Sequence, residues 1–317
     1  MATTIMLQFL AIIINSVAAI TLNSFLFALV YGYQNLRTDF NYTILSVCSA
    51  DIVVSLQISA LSIASMVDEN VLKRPTACDI NGLLSLVGFG GSVIGLAANS
   101  FYRAVMICKN DMYLKYLSGF GTKLYIMAAW IFTLMISVPP LFSWSKFSVQ
   151  NGMLICFVDW KSDVSYTVFM VLICFLGPII IITSSTLLIL KRHRAVAANL
   201  QESSQAVRKQ GLGRTIHEKR KKRDDQIERK ITMSIFAVAL TFFLAWGPFV
   251  VIIILETSLI YHIPDWLKSL GIILGSINST TNPVIHLTMN KNFRNAAAKA
   301  WRKIIQSLQL SLHVNRP

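Results

Sequence analysis

Residues 5–32 read IMLQFLAIIINSVAAITLNSFLFALVYG, a run without a charged side chain, and the first basic residue of the chain is Arg37. A helix needs roughly 20 mostly apolar residues to cross a bilayer, so the run is long enough. A cleavable leader would be shorter and would start with basic residues; this stretch reads as helix 1. Comparable runs follow at about 42–66 (helix 2), 80–107 (helix 3), 122–142 (helix 4), 165–190 (helix 5), 230–256 (helix 6) and 266–287 (helix 7). Hydrophobic residues make up 54% of the 317 positions and charged ones 14%, against about a quarter charged in soluble domains. The expectation is an all-α membrane protein, a seven-transmembrane helix bundle forming one domain over 1–317.

The net charge of +14 is unevenly placed. With odd-numbered loops inside, 24 of the 29 Lys and Arg residues are cytoplasmic, thirteen of them between 191 and 230. The positive-inside rule then puts the N-terminus outside and the C-terminus in the cytoplasm of a multi-pass cell-membrane protein. Basic loops of this kind are drawn to anionic membrane lipids, and no nucleic-acid partner is expected. The Asn-x-Ser/Thr sites at Asn41 and Asn278 fall at the cytoplasmic start of helix 2 and inside helix 7, so neither should carry a glycan.

Of the five cysteines, Cys78 and Cys156 lie on the extracellular side, where disulfides persist; a bridge between them is the economical assignment. No spacing of Cys or His suits a metal. Polar residues inside spans tend to face the bundle interior. Ser16 and Asn23 in helix 1, Asp51 in helix 2, Ser85, Ser92 and Asn99 in helix 3, and Asn278 and Asn282 in helix 7 form stripes that converge on a polar seam. Pro178, Pro248 and Pro283 each remove a backbone hydrogen bond within a span. The third cytoplasmic loop (190–230) is polar and continues helices 5 and 6 around a centre near Gly211 and Gly213. The segment 291–317 starts as an amphipathic helix, with Phe293, Ala297, Trp301, Ile304 and Ile305 on one face, suited to the inner leaflet.

An ordered set of these residues resembles rhodopsin-like (class A) G-protein-coupled receptors. Asn23 and Asp51 match the helix 1 and helix 2 landmarks, Cys78 and Arg103 the two ends of helix 3, and Trp130 helix 4. Pro178, Trp246-Gly247-Pro248 and Asn282-Pro283 match helices 5, 6 and 7. Within that class the opsin branch is most similar. The segments Leu36 to Tyr42, Pro139 to Ser145, Cys156 to Trp160, Ala245 to Phe249 and Met289 to Asn295 carry opsin form, and Lys146 with Asp159 matches a lid ion pair. The resemblance implies a receptor that signals to heterotrimeric G proteins through a disulfide-tied lid (Cys78, Cys156). Trp246, Pro248, Asn282 and Pro283 would be its switch, and Arg103 its G-protein coupling residue, tied at rest to Glu228. Glu228 is otherwise solvated among Arg223, Arg229 and Lys230.

Two departures bear on chemistry. Opsins hold retinal on a helix 7 lysine two turns before the Asn-Pro motif, and that position here is Ser276, whose hydroxyl cannot form an imine. The counterion positions are Asn81 in helix 3 and Gln150 or Asn151 in the lid; none is acidic. The chain is similar in this to the lysine-less placopsins, and no covalently held retinal is expected. The triplet Tyr102-Arg103-Ala104 lacks the family's acid and tyrosine. His286 and Thr186 stand where the family has the tyrosines that support the active state.

The resemblance places the ligand pocket at Ser85, Leu86, Phe89, Met170, Cys174, Trp246, Phe249, Ile272 and Ser276, suited to a small apolar ligand or a non-covalent retinoid. Trp246 is either a transmission switch or core packing. Asp51, Ser92, Asn278 and Asn282 resemble a sodium site, since hard cations take oxygen ligands; a water network is the alternative. No nucleophile with a base stands at bundle depth, so an enzyme is not expected. A transporter would use the same polar seam, but no inverted repeat accompanies it. A light receptor holding retinal non-covalently or by an unusual attachment is the remaining alternative.

Overall fold

The computed structural model describes residues 2–68, 70–71, 74–150, 155–209, 215–258 and 263–314. Helix 1 spans Ala2–Gly32, helix 2 Asp39–Val67, helix 3 Pro75–Cys108 and helix 4 Phe120–Ser137. Helix 5 runs through Val164–Val171, a π-helical turn at Leu172–Leu176, and Gly177–Lys209. Helix 6 is Thr215–Ser258, helix 7 Asp265–Met289, and a further helix 8, Lys291–Val314, leaves the bundle. Helices 5 and 6 extend through the basic loop as the sequence suggests; Gly211 and Gly213 lie outside the described residues.

Local chemistry sets the helix starts. Thr38 caps helix 2 by accepting from the backbone N–H of Asn41 at 3.2 Å. Pro75 occupies the first turn of helix 3, where its missing N–H is harmless. Asp163 caps helix 5, accepting from the N–H groups of Ser165 and Tyr166 at 2.8 and 3.2 Å. The Ser165 hydroxyl bond and these amide bonds hold its carboxyl below the usual carboxylate range. The π-helical turn of helix 5 lies just before Pro178, where the ladder must already give up a donor.

Among the described residues, six helices are long and apolar enough to cross a membrane. Helix 7 is the exception, because Asp265, Lys268, Asn278, Ser279, Thr280, Thr281 and Asn282 dilute its apolar residues. Three of these polar groups turn fully inward: Asn278, Ser279 and Asn282 are buried. The outer faces of other helices are apolar, with Leu10, Leu56, Met127, Leu187 and Leu244 all exposed, as a lipid-facing surface requires.

Helices 2 and 3 approach closely because helix 3 presents glycine to helix 2. A Cβ at Gly88 would sit 2.6 Å from the Cβ of Val54. A short hairpin, β1 Phe147–Gln150 paired antiparallel with β2 Ile155–Val158, lies over the outer end of helix 3. It is tied there by the Cys78–Cys156 disulfide. Gly82 leaves room for Phe147, whose ring carbon would lie 2.2 Å from an added Cβ.

Gly88→Val is therefore expected to destabilise the purified protein by about 1–3 kcal/mol through overpacking. A thermal melt in detergent should show a lowered midpoint for Gly88→Val, with a smaller change for a valine at exposed Gly32, around which an added Cβ meets nothing.

Candidate ligand cavity and polar seam

An apolar cavity lies between helices 3, 5 and 6 beneath the hairpin, with about 530 Å³ of empty space including its open side. Its wall on helix 6 is built by Phe242, Trp246, Phe249 and Ile253, which recur at helical spacing and share one face. Trp246 meets Phe89 edge-to-face at 4.8 Å and Phe249 at 5.8 Å. Phe157 and Trp160 of the lid close the cavity on the hairpin side and meet Phe249, Phe157 tilted and Trp160 edge-on.

Six of the expected pocket residues, Leu86, Phe89, Met170, Cys174, Trp246 and Phe249, line this cavity. Ser85, Ile272 and Ser276, also expected in the pocket, are not among the residues that line this cavity. Helix 6 aromatics stand between helix 7 and the cavity: a Cβ at Gly275 would lie 2.9 Å from the Trp246 ring. Ser276 turns toward helix 1, where Asn15 Nδ2 donates to its carbonyl at 3.0 Å and to its hydroxyl at 3.1 Å. The Ser276 hydroxyl donates in turn to the carbonyl of Ile273, and Thr280 donates to Asn15 Oδ1 at 2.8 Å. Ser85 is fully buried without a protein partner for its hydroxyl.

Above the cavity, Glu256 at the end of helix 6 pairs with Lys268 of helix 7 and, at 3.6 Å, with Lys161 next to Trp160. Glu256 and Lys268 are each only 13% exposed, so this tie between lid, helix 6 and helix 7 is more shielded than the Lys146–Asp159 pair, where Lys146 is 66% exposed. Exposed pairs contribute little. Asn81 does not face the cavity as a counterion would; its side-chain oxygen accepts from the N–H of Cys156 at 2.9 Å and pins the lid. Gln150's side chain and Asn151 lie outside the described residues.

The polar seam assembles deeper in the bundle. Asn282 donates to Asp51 Oδ2 at 3.1 Å, and Asn23 donates to the carbonyls of Ala19 and Ser279 at 2.8 and 2.9 Å. Asp51 Oδ1, Asn278 Oδ1, Asn282 Oδ1 and Ser92 Oγ are buried without a protein partner. At the end of helix 3 away from the hairpin, Arg103 is 6% exposed; the side chain of Glu228 lies outside the described residues.

A family model described as "7 transmembrane receptor (rhodopsin family)" matches residues 22–286. The chain belongs to that family. Its relatives include the blue-sensitive opsin of Gallus gallus, 26% identical over 276 residues, 84% of this chain and 71% of that protein. Pinopsin of Columba livia is 24% identical over 291 residues, 89% of this chain and 77% of that protein. Squid rhodopsin, a solved structure 18% identical, superimposes with a TM-score of 0.80 over 94% of this chain and 85% of its own. This rhodopsin-family member is a multi-pass membrane receptor of the opsin branch, not an enzyme.

The sequence did not single out Asn15 or Glu256, and it marked Phe157 and Trp160 only as part of the lid segment Cys156 to Trp160. Asn15 carried a signal, being polar within an apolar run beside Ser16. The lid aromatics follow Cys156 directly, so any residue tied to helix 3 by that disulfide was a candidate for the cavity roof.

Asn15→Val, which strips both the donor to Ser276 and the acceptor for Thr280, is expected to lower stability by about 1–3 kcal/mol. Thermal melts of the single and Asn15→Val/Thr280→Val proteins check this. The double variant should recover little of the loss, because the Thr280 hydroxyl still has the backbone carbonyl of residue 15 as an acceptor at 3.3 Å.

Proposed function

We propose that this receptor binds a small apolar molecule non-covalently in the cavity and signals to heterotrimeric G proteins at its cytoplasmic face. The orientation that goes with this has the N-terminus outside and the C-terminus inside, supported by the basic residues of loops and tail. Ligand occupancy would bias Trp246 and the Pro248 and Pro283 segments between two bundle arrangements. Arg103, released from its buried position, would meet the G protein. Helix 8 would rest on the inner leaflet among anionic lipids.

The observation carrying the non-covalent reading is Ser276. On the resemblance to opsins it stands at the chromophore lysine's position, and its hydroxyl accepts from Asn15 of helix 1. The residues present do not fit a retinal imine: no lysine lines the cavity among the described residues, and Asn81 is engaged with the lid. A retinoid held without a covalent bond remains within the ligand class, which the cavity restricts to molecules with little polar surface.

The unpartnered oxygens of Asp51, Ser92, Asn278 and Asn282 support a Na⁺ ion as the group that would complete the seam. All four are oxygen ligands, one of them a carboxylate. Such an ion would favour the arrangement in which helices 2 and 7 stay packed.

Two measurements test the proposal. Incubated with 11-cis-retinal and reduced with borohydride, the protein is expected to yield no retinyl-lysine; a stable adduct would overturn the non-covalent reading. In nanodiscs with purified G proteins of each class, the receptor is expected to accelerate nucleotide exchange with at least one, further changed by an apolar ligand library. Solute flux across vesicles without any exchange would favour a transporter instead.

A further inference from the structure

The residue before Arg103 is Tyr102, where the family's pattern has an acid, and its side chain is committed elsewhere. Tyr102 is fully buried. Its hydroxyl pairs with Thr122 Oγ1 at 2.9 Å and donates to the Leu117 carbonyl at 3.1 Å. Its ring packs edge-on to Tyr113 at 5.7 Å. Tyr102 thus fastens helix 3 to the start of helix 4.

Arg103 lies against a different group. Its guanidinium carbon is 4.9 Å from the centre of the Phe40 ring, within the range in which an aromatic face attracts a cation. Such contacts strengthen when desolvated, and Arg103 is buried. Phe40 is the second residue of helix 2, and its neighbours fix it in place. Asp39 Oδ2 accepts from the N–H of Gly119 at 2.7 Å and from the Tyr113 hydroxyl at 3.3 Å. Thr43, one turn on, donates to Asn99 Oδ1 at 2.8 Å. The start of helix 2 is therefore clamped to helix 3 and the second cytoplasmic loop, with the Phe40 ring held over the arginine.

We propose that Phe40 is a positioning residue that retains Arg103 inside the bundle of the resting receptor, taking over the restraint a neighbouring carboxylate would supply. The proposal rests on the reading of Arg103 as the G-protein contact. The ring's share of the restraint comes from its quadrupole, so that share grades with the electron density of the ring face.

The test replaces Phe40 with mono-, di- and trifluorophenylalanine, which keep the ring's shape while draining its face, and measures ligand-free nucleotide exchange in nanodiscs. Exchange is expected to rise stepwise along the series. It should reach roughly three- to tenfold above the parent in Phe40→Leu and stay at or below the parent in Phe40→Trp. A flat response across the fluorinated series, with exchange still abolished by Arg103→Ala, would overturn the role of Phe40 and leave the receptor reading intact. Exchange that persists undiminished in Arg103→Ala would overturn the underlying reading, and this proposal with it. Because the fluorinated and Trp variants keep an aromatic ring at 40, a folding defect in Phe40→Leu alone cannot decide the outcome.

Discussion

Asn282 donates to the Asp51 carboxylate across the bundle, and the placement of helix 7 depends on that contact. Lipid offers no partner to a polar side chain, so each must find one within the protein or pay the full desolvation penalty. Helix 7 is too polar to be a span by apolarity alone. It becomes one by turning Asn278, Ser279 and Asn282 toward helices 1 and 2, with Ser276 and Thr280 held by Asn15. Once those groups face inward on one side, its glycines are left to face helix 6. Trp246 and Phe249 then pack against Gly275 and Gly271.

That rotation divides the interior into two compartments. One, among helices 1, 2, 3 and 7, is polar and carries unpartnered oxygens. The other, among helices 3, 5 and 6, is apolar and roofed by a lid that the Cys78–Cys156 bridge and Asn81 hold down. Trp246 belongs to the wall between them. A molecule filling the apolar compartment presses on the same ring against which helix 7 packs, which gives a direct mechanical route from cavity to seam. Ser276 belongs to the polar side, where its hydroxyl accepts from Asn15 of helix 1.

Much of this was legible in the sequence. Apolar runs and loop charge marked the spans, and the family resemblance put Trp246 and Phe249 in the pocket, which they line. Asp51 and Asn282 stood out as polar groups in apolar surroundings. The rotation of one helix against another was less legible, because periodicity defines a face without saying which neighbour meets it. The resemblance to opsins put Ser276 in the pocket, and its bond to Asn15 was not legible in the sequence. Glu256 and Lys268 escaped notice for a related reason: they sit twelve positions apart across a turn, and only the folded chain brings them together. Tyr102 read as the loss of a restraint, and its bonds to helix 4 came from packing that no motif encodes.

The central claim is that the cavity is filled without a covalent bond. It is tested most directly by intact mass spectrometry of the receptor purified from cells supplied with mixed apolar ligands, including retinoids. Under native conditions the account predicts a bound small molecule that is released completely on denaturation, leaving the mass of the bare chain. A mass increment that survives both denaturation and imine reduction, mapped to any lysine, would contradict it.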